Sequence, residues 1–285
     1  MVKKIFFGIF QSRDIFDYFI LAGMMIMFSS TFYHLISLGW KSADFTHAYF
    51  ILPISLWLIW KKRFALNKIK YLSKAGLWLC VAGFLSYLYA QLNEFMFLDA
   101  LSFVIMMWGI FSIRFDKSSV KAVMFPLSYL VFLVPPPMVV IDTITLPLRT
   151  ISTLGSYFIL KSFHYPAAVY GAILKVGQHE LFIADACSGF RSMVTLLALG
   201  AIYAYYQHTD LMKKWIIFLS VIPMGIFGNI LRIFLTGVIS YNFGAKYAEG
   251  FFHEFSGILL FIFTVIGLII VTSIMVKKEV ANEED

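Results

Sequence analysis

The stretch Ala186-Cys187-Ser188-Gly189-Phe190-Arg191-Ser192 sets one of only two cysteines where an irregular polar segment, Asp185 to Gly189, gives way to an apolar run. A sulfur at the start of a helix faces the positive end of the helix dipole, and Arg191 follows one turn on. Both effects lower a thiol pKa from about 8.5 and favour the nucleophilic thiolate. Asp185 opposes thiolate formation, so its expected role is to orient a basic partner. Two later elements answer this thiol: Asn229-Ile230-Leu231-Arg232 and His253-Glu254-Phe255-Ser256-Gly257. A thiol, a guanidinium and an imidazole are the parts of a cysteine acyl-transfer site.

Arg232 lies inside an apolar run, where an arginine costs on the order of 2.5–3.5 kcal/mol at the centre of a span and less near its end. Asn229 precedes it by three positions and Thr236 follows by four, so the three share one helical face. An arginine there can donate to a developing oxyanion or bind a carboxylate or phosphate; the plainer alternative is a snorkelling anchor at a helix end. His253 precedes the last apolar run, and Gly257 leaves room for close backbone or substrate approach. An imidazole with an ordinary pKa of about 6.5 can protonate a leaving amine and later deprotonate an incoming nucleophile, although an interfacial histidine is more often only a polar end residue. Among the other histidines only His47 stands out, because it heads an apolar run with Asp44 three residues earlier. Cys80, flanked by Leu79 and Val81, reads as a small apolar filler. No Cys/His spacing fits a zinc site or a disulfide framework, so no metal and no cofactor is expected.

These residues need a membrane scaffold. With 60% hydrophobic residues and only 14% charged, the chain departs far from a soluble domain, where charge is nearer a quarter. The net charge of +7 raises nucleic acid as a partner, but the basic residues sit in short clusters between apolar runs and leave no solvated basic domain to hold one. The fold class expected is an all-α polytopic membrane protein, one integral-membrane domain over 1–285. Apolar runs at about 18–38, 47–60, 75–92, 95–113, 119–134, 189–206, 215–240 and 257–276 make about eight transmembrane helices. The first is preceded by Lys3, Lys4 and Arg13 but is long enough to span and lacks a small-residue cleavage site, so it reads as a retained helix.

Assigning the connecting segments alternately puts most of the lysines and arginines on one side. These are Lys3, Lys4 and Arg13; Lys61, Lys62, Arg63, Lys68, Lys70 and Lys74; Arg114, Lys117 and Lys121; Lys213 and Lys214; and Lys277 and Lys278. By the positive-inside rule both termini are then cytoplasmic, in a plasma (inner) membrane, and Cys187, Arg232 and His253 all face outward. Arg232 lies about 25 Å into its span at about 1.5 Å per residue, close to the outer boundary.

The long extracytoplasmic insert, about 135–187, opens with Pro135-Pro136-Pro137, which ends the fifth span. From Asp142 to about Phe163 apolar residues alternate with Thr, Ser, Arg149 and Lys161, a pattern for an amphipathic helix at the interface. Val169 to Val176, a turn at Gly177-Gln178, and Glu180 to Ile183 then predict a small β-hairpin running directly into Cys187.

In this order and at these spacings the motifs resemble the exosortase/archaeosortase family of membrane cysteine transpeptidases. The resemblance runs from about Asp44 to Gly257. It includes the histidine-led helix ending Trp57-Leu58-Ile59-Trp60-Lys61-Lys62-Arg63, the Phe125-Pro126 to Pro137 region, Ala186-Cys187-Ser188-Gly189, Asn229-x-x-Arg232 and His253-x-x-x-Gly257. It implies a catalytic triad of Cys187, Arg232 and His253, with Asn229, Arg191, Ser188, Gly189, Asp185, His47 and Gly257 in supporting or substrate-binding positions. It also implies substrates that are exported proteins with a C-terminal sorting signal: a short motif such as Pro-Glu-Pro, a transmembrane helix and a basic cluster. Ala48 follows His47 where the family often has glycine, which leaves the role of that position open. The chain stops in a short charged tail without the fused C-terminal domain of some family members, so any accessory partner is expected to be a separate protein. Membrane lipids are the other expected partner. Two alternatives stand beside this reading. A polytopic transporter would gather polar groups near the midplane and repeat itself internally, and neither is visible here. A lipid-modifying acyl transferase would use the same thiol, with Arg232 on a phosphate.

Overall fold

The computed structural model describes residues 15–41, 45–67, 73–171, 173–182, 190–244, 247 and 251–283, and their side chains apart from 15–17, 182, 190–191, 251–256 and 276–283. The chain is a multi-pass membrane protein dominated by helices, and it separates into two compact units, Met1–Pro137 and Met138–Asp285. Among the described residues five helices are long and apolar enough to cross a membrane, or six if one bent pair counts as a single span. Three further apolar helices, Ala48–Lys61, Met124–Leu133 and Ser192–Tyr206, are shorter. The expectation of eight full-length spans therefore meets three segments that fall below that length.

The first unit opens with α1 (Ile15–Met27) and α2 (Ser29–His34), which continues into a wider helical turn, Leu35–Gly39. The two segments are bent by 50°. Phe28 at the bend and Phe32 beyond it pack edge-on against Phe103, and the Thr31 hydroxyl donates to Asp99 at 2.8 Å. Then come α3 (Ala48–Lys61), α4 (Lys74–Leu92) and α5 (Met96–Arg114). Asp99 is buried in the first turn of α5, and Gln91 at the end of α4 donates to its second oxygen at 3.1 Å. Without water, a carboxylate in such surroundings requires these donors.

Helices α4 and α5 approach so closely that glycine is required at the contact. A Cβ at Gly109 would stand 2.8 Å from the Cys80 backbone nitrogen, and one at Gly76 2.8 Å from that of Ile113. Lipid offers little hydrophobic drive for helix pairing, so small residues that let backbones meet supply the packing energy instead. The apolar run at 119–134 is broken into α6 (Lys117–Ala122), α7 (Met124–Tyr129) and a tighter turn, Leu130–Leu133. Pro126 accounts for the first break, because its ring and missing N–H would disrupt the carbonyl four residues earlier, at Ala122. Asp116 starts α6 by accepting from the Ser119 N–H at 2.7 Å, and hydrogen bonding with the Ser119 side chain and backbone holds its carboxyl below the usual range. The Ser119 hydroxyl in turn ties α6 to the Ala65 carbonyl at 2.8 Å.

The second unit contains α8 (Met138–Ser162), a three-stranded antiparallel sheet, and three helices, α9 (Phe190–Tyr206), α10 (Leu211–Phe243) and α11 (Phe251–Glu283). The segment expected as an interfacial helix at Asp142–Phe163 is one continuous 25-residue helix that is also long and apolar enough to cross. The sheet is a meander of β1 (Ala167–Tyr170), β2 (Ile173–Val176) and β3 (His179–Phe182), not a single hairpin. Gly171, at φ +59°, turns the chain inside what reads in sequence as one strand, Val169 to Val176.

The glycine contacts of α4 and α5 yield a direct test. Gly109→Ala and Gly76→Ala should each destabilise the protein by roughly 1–3 kcal/mol, because the helices must separate. Gly23→Ala, where a Cβ meets nothing within 4 Å, should leave stability unchanged. Thermal unfolding in detergent compares them, and equal midpoints for all three would show that close approach is not what joins the pair.

Candidate active site

Helix α10 is the spine of the second unit. Asp210 caps its start, accepting from the Lys213 N–H at 2.7 Å, and Gly244, at φ +94°, ends it. Neighbours pack on it at glycines: a Cβ at Gly200 of α9 would fall 2.5 Å from Val221, one at Gly228 3.2 Å from Leu260, and one at Gly267 of α11 2.6 Å from Met224. Leu196, Ile217, Val221, Leu260 and Leu268 fill the space between the three helices.

Arg232 and Asn229 lie above this core on α10, and both are buried, at 8% and 1% exposure. Thr236, one turn on, donates its hydroxyl to the Arg232 carbonyl at 2.8 Å. On the neighbouring α8, the Ser156 hydroxyl lies 2.8 Å from the Ile230 carbonyl and 2.7 Å from that of Ser152. A Cβ at Gly155 would stand 2.8 Å from the Ile230 side chain. Thus α8 is pressed against the turn that carries Asn229 and Arg232. These positioning residues did not emerge from sequence reading, although Ser152-x-x-x-Ser156, a pair of small residues one turn apart, is the signal that marks such a contact.

The sheet seats itself on the next turns of α10. Its inner face, Ala167, Leu174, Val176 and Leu181, forms one buried cluster with Leu160 of α8 and Ile233 of α10. Gly237 is small enough to admit both Leu160 and Val176, within 3.4 Å of where its Cβ would be. The turn at Gly177-Gln178 abuts Tyr241: a Cβ on Gly177 would stand 2.8 Å from the ring, which also packs edge-on against Tyr165. From there β3 returns toward the Ile233 level of α10, and its last residue, Phe182, precedes Cys187 by five positions.

Asp185, Cys187, Ser188 and Gly189 lie outside the described residues, and Arg191 and His253 lie in α9 and α11 with side chains outside the described set. Gly257 sits early in α11, and no described atom would come within 4 Å of a Cβ there. In the first unit His47 is buried at the start of α3, with its ring hydrogen-bonded to the Phe132 carbonyl and tilted against Phe45; Asp44 lies outside the described residues. Among the described residues no cluster of His, Cys, Asp and Glu could hold a metal ion.

Several apolar helices long enough to cross a membrane, with buried polar groups on α10, define a multi-pass membrane protein. The chain belongs to the transmembrane exosortase family, which it matches over residues 40–270. Membership suggests a membrane protease or transpeptidase role. No curated protein and no solved structure matches the chain.

Gly177 tests how tightly the sheet is held. Gly177→Ala should destabilise through both its positive φ and the Tyr241 ring. In a Tyr241→Ala background the same change should cost only the backbone part, about 1 kcal/mol. A double-mutant cycle in thermal unfolding reads the difference. Equal costs in both backgrounds would mean that the ring gives way freely.

Proposed function

We propose that the protein is a cysteine protease/transpeptidase that cleaves the C-terminal sorting signal of exported proteins at the extracytoplasmic face. The observation that carries the reading is the burial of Arg232 beside Ile233, the residue on which the sheet leading to Cys187 is seated. The Cys187 thiolate attacks the scissile carbonyl, and Arg232 stabilises the oxyanion of the tetrahedral intermediate. Collapse breaks the C–N bond, the leaving amine takes a proton from His253, and a thioester remains on Cys187. An amine or water then gives its proton to His253 and attacks the thioester, releasing the product and the thiolate. Thr236 holds the arginine turn, Asn229 lies buried one turn before it, and Gly257 leaves space beside the reacting groups. The signal's own transmembrane helix lies among the enzyme's helices, and its basic cluster stays on the cytoplasmic side.

The test is co-expression with a tagged reporter bearing a short motif, a transmembrane helix and a basic cluster, read by the size of the product. Wild-type enzyme should shorten the reporter. Cys187→Ser should abolish turnover while the fold persists, because a hydroxyl is a far weaker nucleophile at neutral pH. Arg232→Lys should also fail, since a point charge does not replace the planar donor fork. Turnover by the Cys187→Ser enzyme at the wild-type rate would remove the mechanism.

The orientation proposed has both termini in the cytoplasm and the sheet outside, with α8 lying along the outer boundary. With Cys80 and Cys187 replaced by alanine, a cysteine at Gln178 should react with an impermeant maleimide on intact cells, and one at Ser118 only after permeabilisation. The reverse pattern at Gln178 would mean that α8 crosses the membrane.

A further inference from the structure

The hydrogen-bond register of the sheet decides which backbone groups of β3 are committed. The Gly177 N–H donates to the Pro166 carbonyl at 2.8 Å, which makes Pro166 and Gly177 a hydrogen-bonded pair between β1 and β2. Antiparallel pairs alternate, so Lys175 and Ile173 also turn their backbone groups toward β1, while Val176 and Leu174 turn theirs toward β3. Their partners His179 and Leu181 bond inward. Glu180 and Phe182 are left with N–H and C=O directed away from the sheet. No described strand pairs with that edge.

We propose that this edge docks the substrate's motif, which enters as an extended peptide, adds to the sheet as a fourth strand, and is thereby presented to Cys187. The inference rests on the protease/transpeptidase reading above and names how that site takes its substrate. Edge strands are usually blunted by proline, charge or cover, because their free backbone groups recruit other chains. The β1 edge follows Pro166 and abuts the end of α8, where Tyr165 donates to the Leu160 carbonyl. The charge on β3, Glu180, is matched across the strand by Lys175 at 3.2 Å and does not repel an incoming peptide. The inner face of the sheet is fixed to α10 through Ile233 and Gly237, so the edge is a rigid template. Phe182 stands five residues from Cys187 in sequence, at most about 18 Å of extended chain, within the reach of a docked motif of a few residues. Main-chain pairing supplies affinity, and alternating side chains supply selectivity.

Glu180→Pro tests the idea, since it deletes an outward N–H and leaves the bonds of His179 and Leu181 to β2 intact. Processing of the tagged reporter in membranes should fall about tenfold, the scale of a lost hydrogen bond with its partner left unpaired. Glu180→Gln, which removes the same charge and ion pair but keeps the outward N–H, should stay within about twofold of wild type. A second measurement is independent of the proline variant's folding and of turnover. In the Cys187→Ala enzyme, a benzophenone side chain placed at successive motif residues should crosslink to residues 178–182 with a period of two. Unaltered processing by Glu180→Pro, or crosslinks without that period, would overturn the edge proposal. If wild-type enzyme leaves the reporter uncut while the periodic crosslinks appear, the edge stands and the hydrolytic or transfer chemistry is what fails.

Discussion

The seating of a small sheet on one helix, from Ile233 through Gly237 to Tyr241, is the contact on which the second unit depends. A sheet of twelve strand residues buries too little on its own to be stable. It persists because Leu174, Val176 and Leu181 share a cluster with α8 and α10. The same contact fixes where β3 ends, and therefore where the segment bearing Cys187 begins. Arg232 adjoins that cluster in sequence, so one packing arrangement bears on both the buried arginine and the end of β3.

Helix packing throughout uses one device. At Gly76, Gly109, Gly200, Gly228 and Gly267 a neighbouring side chain or backbone occupies the space that a Cβ would need. Between lipid-immersed helices an apolar side chain gains little by leaving lipid for protein, so shape must supply what hydrophobicity does not. Serine and threonine complement the glycines by returning hydroxyls to carbonyls one turn back, as at Thr264 and Thr272, at little cost in bulk.

The helical class and the membrane character were legible because they depend on composition and on the length of apolar runs. Arg232 and Asn229 stood out because polar groups inside an apolar run are costly, and that argument needs no tertiary knowledge. What the sequence concealed has local causes. Pro126 sits in an apolar run whose hydropathy masks the break it imposes at Val123. Gly171 lies within an alternating stretch and reads as strand until a turn is needed there. The sequence places α8 at the interface because its polar residues suggest solvent, whereas Thr145, Ser152, Thr153 and Ser156 are buried and the helix is apolar enough to cross. Periodicity marks a polar face but does not say whether water or another helix covers it.

Asp99 bears on how the chain enters the membrane. An acidic residue at a helix centre costs on the order of 2.5–3.5 kcal/mol during insertion, and less toward an end. Both of its donors, Thr31 and Gln91, lie earlier in the chain. They therefore emerge from the ribosome first, so the carboxylate meets partners already in the bilayer as its own helix arrives. Read this way, the bend of the first segment is a receptacle made before its occupant, and the order of synthesis becomes part of how this bundle assembles.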